Sequence, residues 1–307
     1  MCGLIGIWAK NKRGEAALDK VDDALTTISH RGPDNLSSKK YSKVALGHAR
    51  LSIIDTSEAA NQPMEDSSGR YCLVFNGEIY NYKELRIELE NKGVSFNTQS
   101  DTEVLLHLLI SDREKALDKL NGFFAFIFFD SLQNELLFAR DRMGIKPLVL
   151  YEDGDKIIVT SELATLFNFD IDKSIDADAL NHYLGLTYIP ASHTILEQAF
   201  KIKPGHLGII RDNQVETKRF VQLQRMPYSK MTFNESVKEL KMRLERSVKY
   251  RMISDVPLGC FLSGGVDSSV IAAIASKFNP DLETFSIGFE HEYFDESTHA
   301  KKVAEHL

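Results

Sequence analysis

The sequence predicts an α+β domain of packed sheets between helices, followed by the opening of a doubly wound parallel α/β domain. Three observations carry this. Short apolar or alternating runs, bounded by Gly, Asn and Asp, recur through the first 160 residues among helically spaced segments. The run Gly122–Asp130 is apolar on both faces and must be covered by a layer on each side. Beyond residue 257, strand, glycine turn, helix and strand follow in the order that starts a parallel sheet.

Strands are expected over 3–8, 44–54, 71–76, 123–130, 134–140, 147–151 and 156–160, and helices over 15–29, 82–91, 102–110 and 176–186. From 191 to 232 the pattern loosens, with turns at Pro204-Gly205, Asp212-Asn213 and Met226-Pro227. A domain boundary is expected between 210 and 230, separating domains at 2–215 and 230–307. In the second, Phe233, Val237, Leu240, Leu244 and Val248 mark one face of an amphipathic helix. Then come a strand (258–262), a helix (267–277), a strand (283–289) and a helix (295–306). Two strands cannot make a stable doubly wound sheet, so either the chain is a fragment or its second domain is much reduced.

Net charge is −7 and no polybasic run occurs, which argues against a nucleic-acid surface. No stretch of 18 apolar residues suggests a membrane span, and the first residues lack the pattern of a secretory signal. The sparse cysteines Cys2, Cys72 and Cys260 fit a reducing cytoplasm and no zinc site. Cys72 and Cys260 lie in apolar runs and read as small core residues.

Cys2 is different. Removal of the initiator methionine would put a thiol and a free α-amine on one residue, and that amine titrates near neutral pH. Nucleophile and base then coincide. A second signal is Ser263-Gly264-Gly265-Val266-Asp267-Ser268-Ser269, between a buried strand and a helix. Glycines there admit an anion to the backbone, and N–H groups with serine hydroxyls donate to phosphate oxygens. It is not a Walker A loop, because the lysine is missing. The plainer alternative is a tight turn with a Ser or Asp helix cap.

With Met1-Cys2-Gly3-Leu4-Ile5-Gly6, Ser29-His30-Arg31-Gly32-Pro33-Asp34, Gly47-His48-Ala49-Arg50-Leu51-Ser52-Ile53 and Phe75-Asn76-Gly77-Glu78-Ile79-Tyr80-Asn81, the chain resembles the class II glutamine amidotransferases. Adding Ser263–Ser269 narrows the resemblance to the glutamine-hydrolysing asparagine synthetases. This implies the αββα sandwich of the N-terminal-nucleophile hydrolases, then the start of an ATP-pyrophosphatase domain. It also implies glutamine, aspartate and ATP as substrates, Mg²⁺ with the ATP, a β-aspartyl-AMP intermediate, and a homodimer as the usual assembly. By this resemblance the family's synthetase domain runs well beyond Leu307. Relatives amidating another carboxylate, or a non-catalytic remnant, are the alternatives.

The resemblance also assigns roles. Cys2 would attack glutamine, with Asn76 and Gly77 as the oxyanion hole; Asn76-Gly77 could instead be a hairpin turn. Arg50 would grip the substrate carboxylate, its alternative being a surface ion pair. Asp101 would accept the substrate ammonium, and it also reads as a helix cap. Glu78, Leu51, Ser52, Ile53 and Ile54 would line the same pocket. Arg31 and Asp141-Arg142-Met143-Gly144-Ile145-Lys146-Pro147 read as structural or gating, the latter where the domains meet. His48 and His30 are not needed beside a nucleophile that carries its own amine. Leu262 and Ile287 would meet adenosine; Ser263, Gly264, Gly265, Ser268 and Ser269 would hold pyrophosphate, with Asp267 a candidate for Mg²⁺.

Overall fold

The computed structural model describes residues 2–221, 229–291 and 293–307. The chain forms two compact units, Met1–Leu223 and Gln224–Leu307. The turn expected at Met226-Pro227 lies outside the described residues, as does Met1.

Unit 1 runs β1 (Gly3–Ala9), α1 (Lys12–Leu18), α2 (Val21–Thr27), β2 (Asn35–Lys40), β3 (Val44–Arg50), β4 (Met64–Glu65), β5 (Tyr71–Ile79), α3 (Tyr82–Glu90), α4 (Asp101–Asp112) and α5 (Ala116–Lys119). It continues through β6 (Gly122–Asp130), β7 (Glu135–Arg140), β8 (Val149–Glu152), β9 (Lys156–Thr160), α6 (Ala177–Leu186), β10 (Ala199–Lys201), β11 (His206–Arg211) and β12 (Gln214–Arg219). The strands make two six-stranded sheets, ordered β10-β8-β9-β1-β3-β2 and β12-β11-β7-β6-β5-β4.

Strand periodicity explains the layering. In β1, Leu4 and Trp8 join a core with Val74, Ile127 and Phe138 of the other sheet. Ile5 and Ile7 alternate to the opposite face and pack on Ala17, Val21, Leu25 and Ile28 of the helical layer and its end. Both faces of β1 are therefore buried, as its uninterrupted apolar sequence requires. On the far side of the second sheet, α4 packs on β5. The result is an α+β sandwich of two sheets between helices.

Several local expectations change. The single helix expected over 15–29 is α1 and α2, because Asn11 caps α1 through the Arg13 and Gly14 amides and α1 ends at Leu18. The strand expected over 44–54 stops at Arg50. The Asn76-Gly77 turn is ruled out: β5 runs through both residues, paired with Ala125 and Phe124 of β6. The loose segment holds β11 and β12, joined at Asp212-Asn213, whose φ angles are both positive (52° and 64°) as a tight hairpin demands.

Unit 2 contains α7 (Phe233–Arg251), β13 (Gly259–Phe261), α8 (Val266–Ala275), β14 (Glu283–Phe285) and α9 (Ser297–His306). Thr232 and Glu235 form a reciprocal capping box at the start of α7. β13 and β14 pair in parallel across α8, the opening of a parallel α/β sheet. The second strand ends at Phe285, short of the expected residue 289.

Candidate active site

Cys2 directly precedes β1, and the Gly3–Ala49 pairing brings it to the C-terminal end of β3. There the Leu51 N–H donates to its sulfur at 3.4 Å. Its carbonyl accepts Arg31 Nε at 3.0 Å, and Arg31 is held in turn by Glu162 at 2.7 Å. Burial pushes the thiol up, while the Leu51 amide and nearby Lys146 act in the opposite direction. Neither suspect histidine contacts the sulfur among the described residues. His48 is fully buried on the Phe75 carbonyl at 3.0 Å and is driven down to about 3 by desolvation; His30 faces Glu162.

Across the sandwich, β5 contributes Asn76 and Gly77. Asn76 is 1% exposed, yet neither its amide nitrogen nor its oxygen has a partner among the described residues. Buried amides are nearly always satisfied, so an unspent donor beside a thiol points to a visiting acceptor. Gly77 is forced by its neighbour: a Cβ would lie 2.3 Å from the Phe123 carbonyl oxygen.

Asp101 is the first residue of α4, and Ser100 is the actual N-cap, accepting the Glu103 N–H. The Asp101 carboxylate instead accepts the Ile79 N–H at 2.9 Å. Burial, with Glu78 adding to it, pushes it up to about 7. Arg50 is 4% exposed and ties down its following loop, donating to the Ser57 carbonyl and Asn61 Oδ1, both at 2.7 Å, and to the Asp55 carbonyl. Gln62, before β4, ties β5 to α4, accepting the Phe75 N–H at 2.6 Å and donating to Thr102.

A cavity of about 180 Å³ gathers Cys2, Arg50, Leu51, Ile53, Ile54, Asn76, Gly77, Glu78 and Asp101. In unit 2 a cavity of about 370 Å³ lies past the ends of β13 and β14 and includes Leu262, Ser263, Ser268 and Ile287. Gly264, between them, has φ +83° and sits against the Ala300 amide, which would be 2.7 Å from an added Cβ. Ser263 and Ser268 share a hydroxyl–hydroxyl hydrogen bond of 2.9 Å.

Residues 1–221 match the family described as glutamine amidotransferase domain. The chain belongs to the glutamine amidotransferase family. Residues 239–307 match the family described as asparagine synthase. Across 99% of its length this amidotransferase chain is 40% identical to "Asparagine synthetase [glutamine-hydrolyzing] 1" of Bacillus subtilis (strain 168), covering 48% of that protein. It is 35% identical to "Putative asparagine synthetase [glutamine-hydrolyzing] 2" of Methanocaldococcus jannaschii, over 100% of this chain and 63% of that one. The chain thus spans about half to two-thirds of the length of these relatives. Among solved structures, the glutamine phosphoribosylpyrophosphate amidotransferase of B. subtilis shares the fold, with TM-score 0.53 and 21% identity over 94% of this chain and 67% of that one.

Of the residues read as glutamine-binding in this amidotransferase, Ser52 alone is outside the first cavity; its N–H donates to Asp34 instead. Sequence reasoning missed Gln62, Thr102 and Lys146 on that wall. In unit 2, Gly264, Gly265, Asp267 and Ser269 are not on the wall of the second cavity, whereas Phe261, Phe285, Phe289 and Phe294 are. Phe261 and Phe285 at paired strand ends were the readable signal for those aromatics.

Proposed function

We propose that unit 1 is a glutaminase and that its ammonia serves an ATP-dependent amidation of aspartate in the protein to which unit 2 belongs. The observation that carries the first half is the amide of Asn76, without a partner among the described residues and buried in one cavity with Gly77 and Cys2.

With the initiator removed, the Cys2 α-amine takes the thiol proton. The sulfur attacks the side-chain amide carbon of glutamine, forming a C–S bond and moving the carbonyl electrons onto oxygen. Asn76 Nδ2 and the Gly77 N–H receive that oxyanion. The α-ammonium protonates the amide nitrogen, the C–N bond breaks and ammonia leaves. Water, deprotonated by the same amine, then adds to the thioester, and C–S cleavage releases glutamate. Arg50 holds the substrate carboxylate, and Asp101 with Glu78 holds its ammonium.

In unit 2, Leu262 and Ile287, just past the ends of β13 and β14, and the aromatic wall suit an adenine ring, and the Ser263–Ser269 segment suits the phosphates. Aspartate would be activated as its β-adenylate with release of pyrophosphate, and ammonia would displace AMP. Among the described residues no three His, Cys, Asp or Glu side chains gather as a metal cage. Mg²⁺ normally takes one or two carboxylates plus phosphate oxygens, and Asp267, in the first turn of α8 beside the serine loop, would be the carboxylate to hold it. When bound it would neutralise phosphate charge. No helix among the described residues is long and apolar enough to cross a membrane, and the unpaired state of Cys2, Cys72 and Cys260 supports a reducing, cytoplasmic setting.

The test is glutamate release from glutamine by the purified chain against Cys2→Ala, with the N-terminus established by mass spectrometry. Loss of release in Cys2→Ala and a mature terminus at Cys2 are expected. Equal rates, or full activity with Met1 retained, would overturn the reading.

A further inference from the structure

The 140–147 segment is built more rigidly than a connecting loop requires. The Asp141 carboxylate accepts the N–H groups of Met143 and Ile145 at 3.0 Å and of Lys146 at 2.9 Å. It also reaches the N–H of Phe124, the residue opposite Gly77 in β6, at 3.3 Å. From the other side, Arg140 donates to the Gly144 carbonyl at 2.6 Å, the Lys146 carbonyl at 2.8 Å and the Ile202 carbonyl at 2.6 Å. The product of this bracing is one side chain. Lys146 is 5% exposed, its ammonium lies 4.6 Å from the centre of the Phe123 ring, and it forms part of the cavity wall shared with Cys2 and Asn76. A buried lysine is costly, and proteins rarely hold one without use for its charge.

We propose that Lys146 is a positioning residue of the glutaminase: a fixed cation that, across the cavity, favours the anionic form of the Cys2 sulfur and the neutral form of the Cys2 α-amine. This rests on the reading of Cys2 as the nucleophile. The competing groups are accounted for in turn. Among the side chains of the described residues, the other cations facing Cys2 are Arg31, held by Glu162 at 2.7 Å, and Arg50, committed to the loop and, in the proposed mechanism, to the substrate carboxylate. Asp101 opposes thiolate formation, and Glu78 and Asp141 face Lys146 itself. Burial lowers the lysine, while Glu78 and Cys2 pull it back up. Lys146 is therefore a buried cation, held by its braced backbone on the wall that it shares with Cys2. It exchanges no proton with substrate, so atoms and charge in the thioester chemistry are unchanged.

The test reads Cys2 directly, without glutamine. Iodoacetamide reacts with thiolate only, forming S–C and releasing iodide, so its rate against pH gives the thiolate fraction. Peptide mass identifies Cys2 as the site apart from Cys260. Replacing the charge in Lys146→Met and Lys146→Gln is expected to move the Cys2 profile up by about one pH unit or more. Lys146→Arg should hold it near the wild-type position, and kcat/KM for glutamine should follow the same order at neutral pH. An unmoved profile in the folded neutral variants overturns the proposal. So does an equal shift in all three variants, or failure of both neutral variants to fold, since each assigns Lys146 a purely structural role. Because the readout omits glutamine, it can fail while Cys2→Ala still abolishes glutaminase activity, and the reverse.

Discussion

The carboxylate of Asp101 accepts the backbone N–H of Ile79 at 2.9 Å, joining the first turn of α4 to the last residue of β5. One acid thus fixes the end of the strand that carries Asn76, Gly77 and Glu78, while remaining on the cavity wall. It does so from full burial, which keeps it near pH 7 rather than in the ordinary carboxylate range.

That shift sets a stability prediction. An acid whose folded-state pKa is raised binds protons more tightly folded than unfolded, so it weakens the fold as pH climbs from about 4 to about 7. Below that window both states are protonated and the effect vanishes. Asp101→Asn, which can still accept the Ile79 N–H, should therefore be more stable than wild type by roughly 2–4 kcal/mol at pH 8, and equal to it near pH 3.5. Melting curves across that range check it. In wild type, KM for glutamine should rise below pH 7 as Asp101 is neutralised, a trend that Asp101→Asn should lack from an already high KM.

Asn76 makes the opposite kind of prediction, because its side chain has no hydrogen-bond partner among the described residues. Asn76→Ala should lower kcat by about 10²–10³ with little change in KM. Its melting temperature should not fall in proportion, since removing an unsatisfied buried amide relieves a desolvation penalty. Steady-state kinetics beside a thermal melt separate the two. A large stability loss with unchanged kcat would make Asn76 a structural residue.

Much of this site was legible because its chemistry lies on short, distinctive segments. Cys2, Arg50 and Asn76 each sit at a strand end or within a strand whose apolar pattern is plain. The parts that were not legible depend on long-range packing. β2 is Asn-Leu-Ser-Ser-Lys-Lys, a polar edge strand with no apolar alternation to announce it. In sequence Lys146 reads only as part of a structural or gating segment; its place on the cavity wall depends on backbone bracing by Arg140 and Asp141, which the sequence does not display. For Asn76-Gly77, local turn preference pointed the wrong way, and nine residues of continuous β5–β6 pairing override it.

Gly77 tests that override. Its would-be Cβ meets backbone on the neighbouring strand, at 2.3 Å from the Phe123 oxygen and 2.8 Å from Phe124 Cα, so no side chain can turn aside. Gly77→Ala should lower stability by ~3 kcal/mol through forced separation of β5 and β6. Trp8 is the chain's single tryptophan and is buried between the sheets of unit 1. Its fluorescence in a urea titration therefore reports that unit, and a midpoint unmoved by the substitution would show that the strands tolerate the methyl group.

In the proposed mechanism Arg50 would carry two duties in one guanidinium, and a lysine could not divide itself between them. Its three donors to the 55–61 loop span separate acceptors on Asp55, Ser57 and Asn61, a spread that a planar fork reaches and a single ammonium does not. The same group is on the cavity wall where a substrate carboxylate would be gripped bidentately. Arg50→Lys should therefore raise KM for glutamine by at least ~10-fold, while kcat, which the proposed mechanism assigns to Cys2 and the Asn76–Gly77 pair, should change much less. Hydrogen exchange at residues 51–61 should quicken in the same variant, because the loop loses its anchor even when no substrate is present. Unchanged exchange with a raised KM would confine the role of Arg50 to the substrate. Faster exchange with an unchanged KM would confine it to the loop, and the carboxylate grip would need another cation.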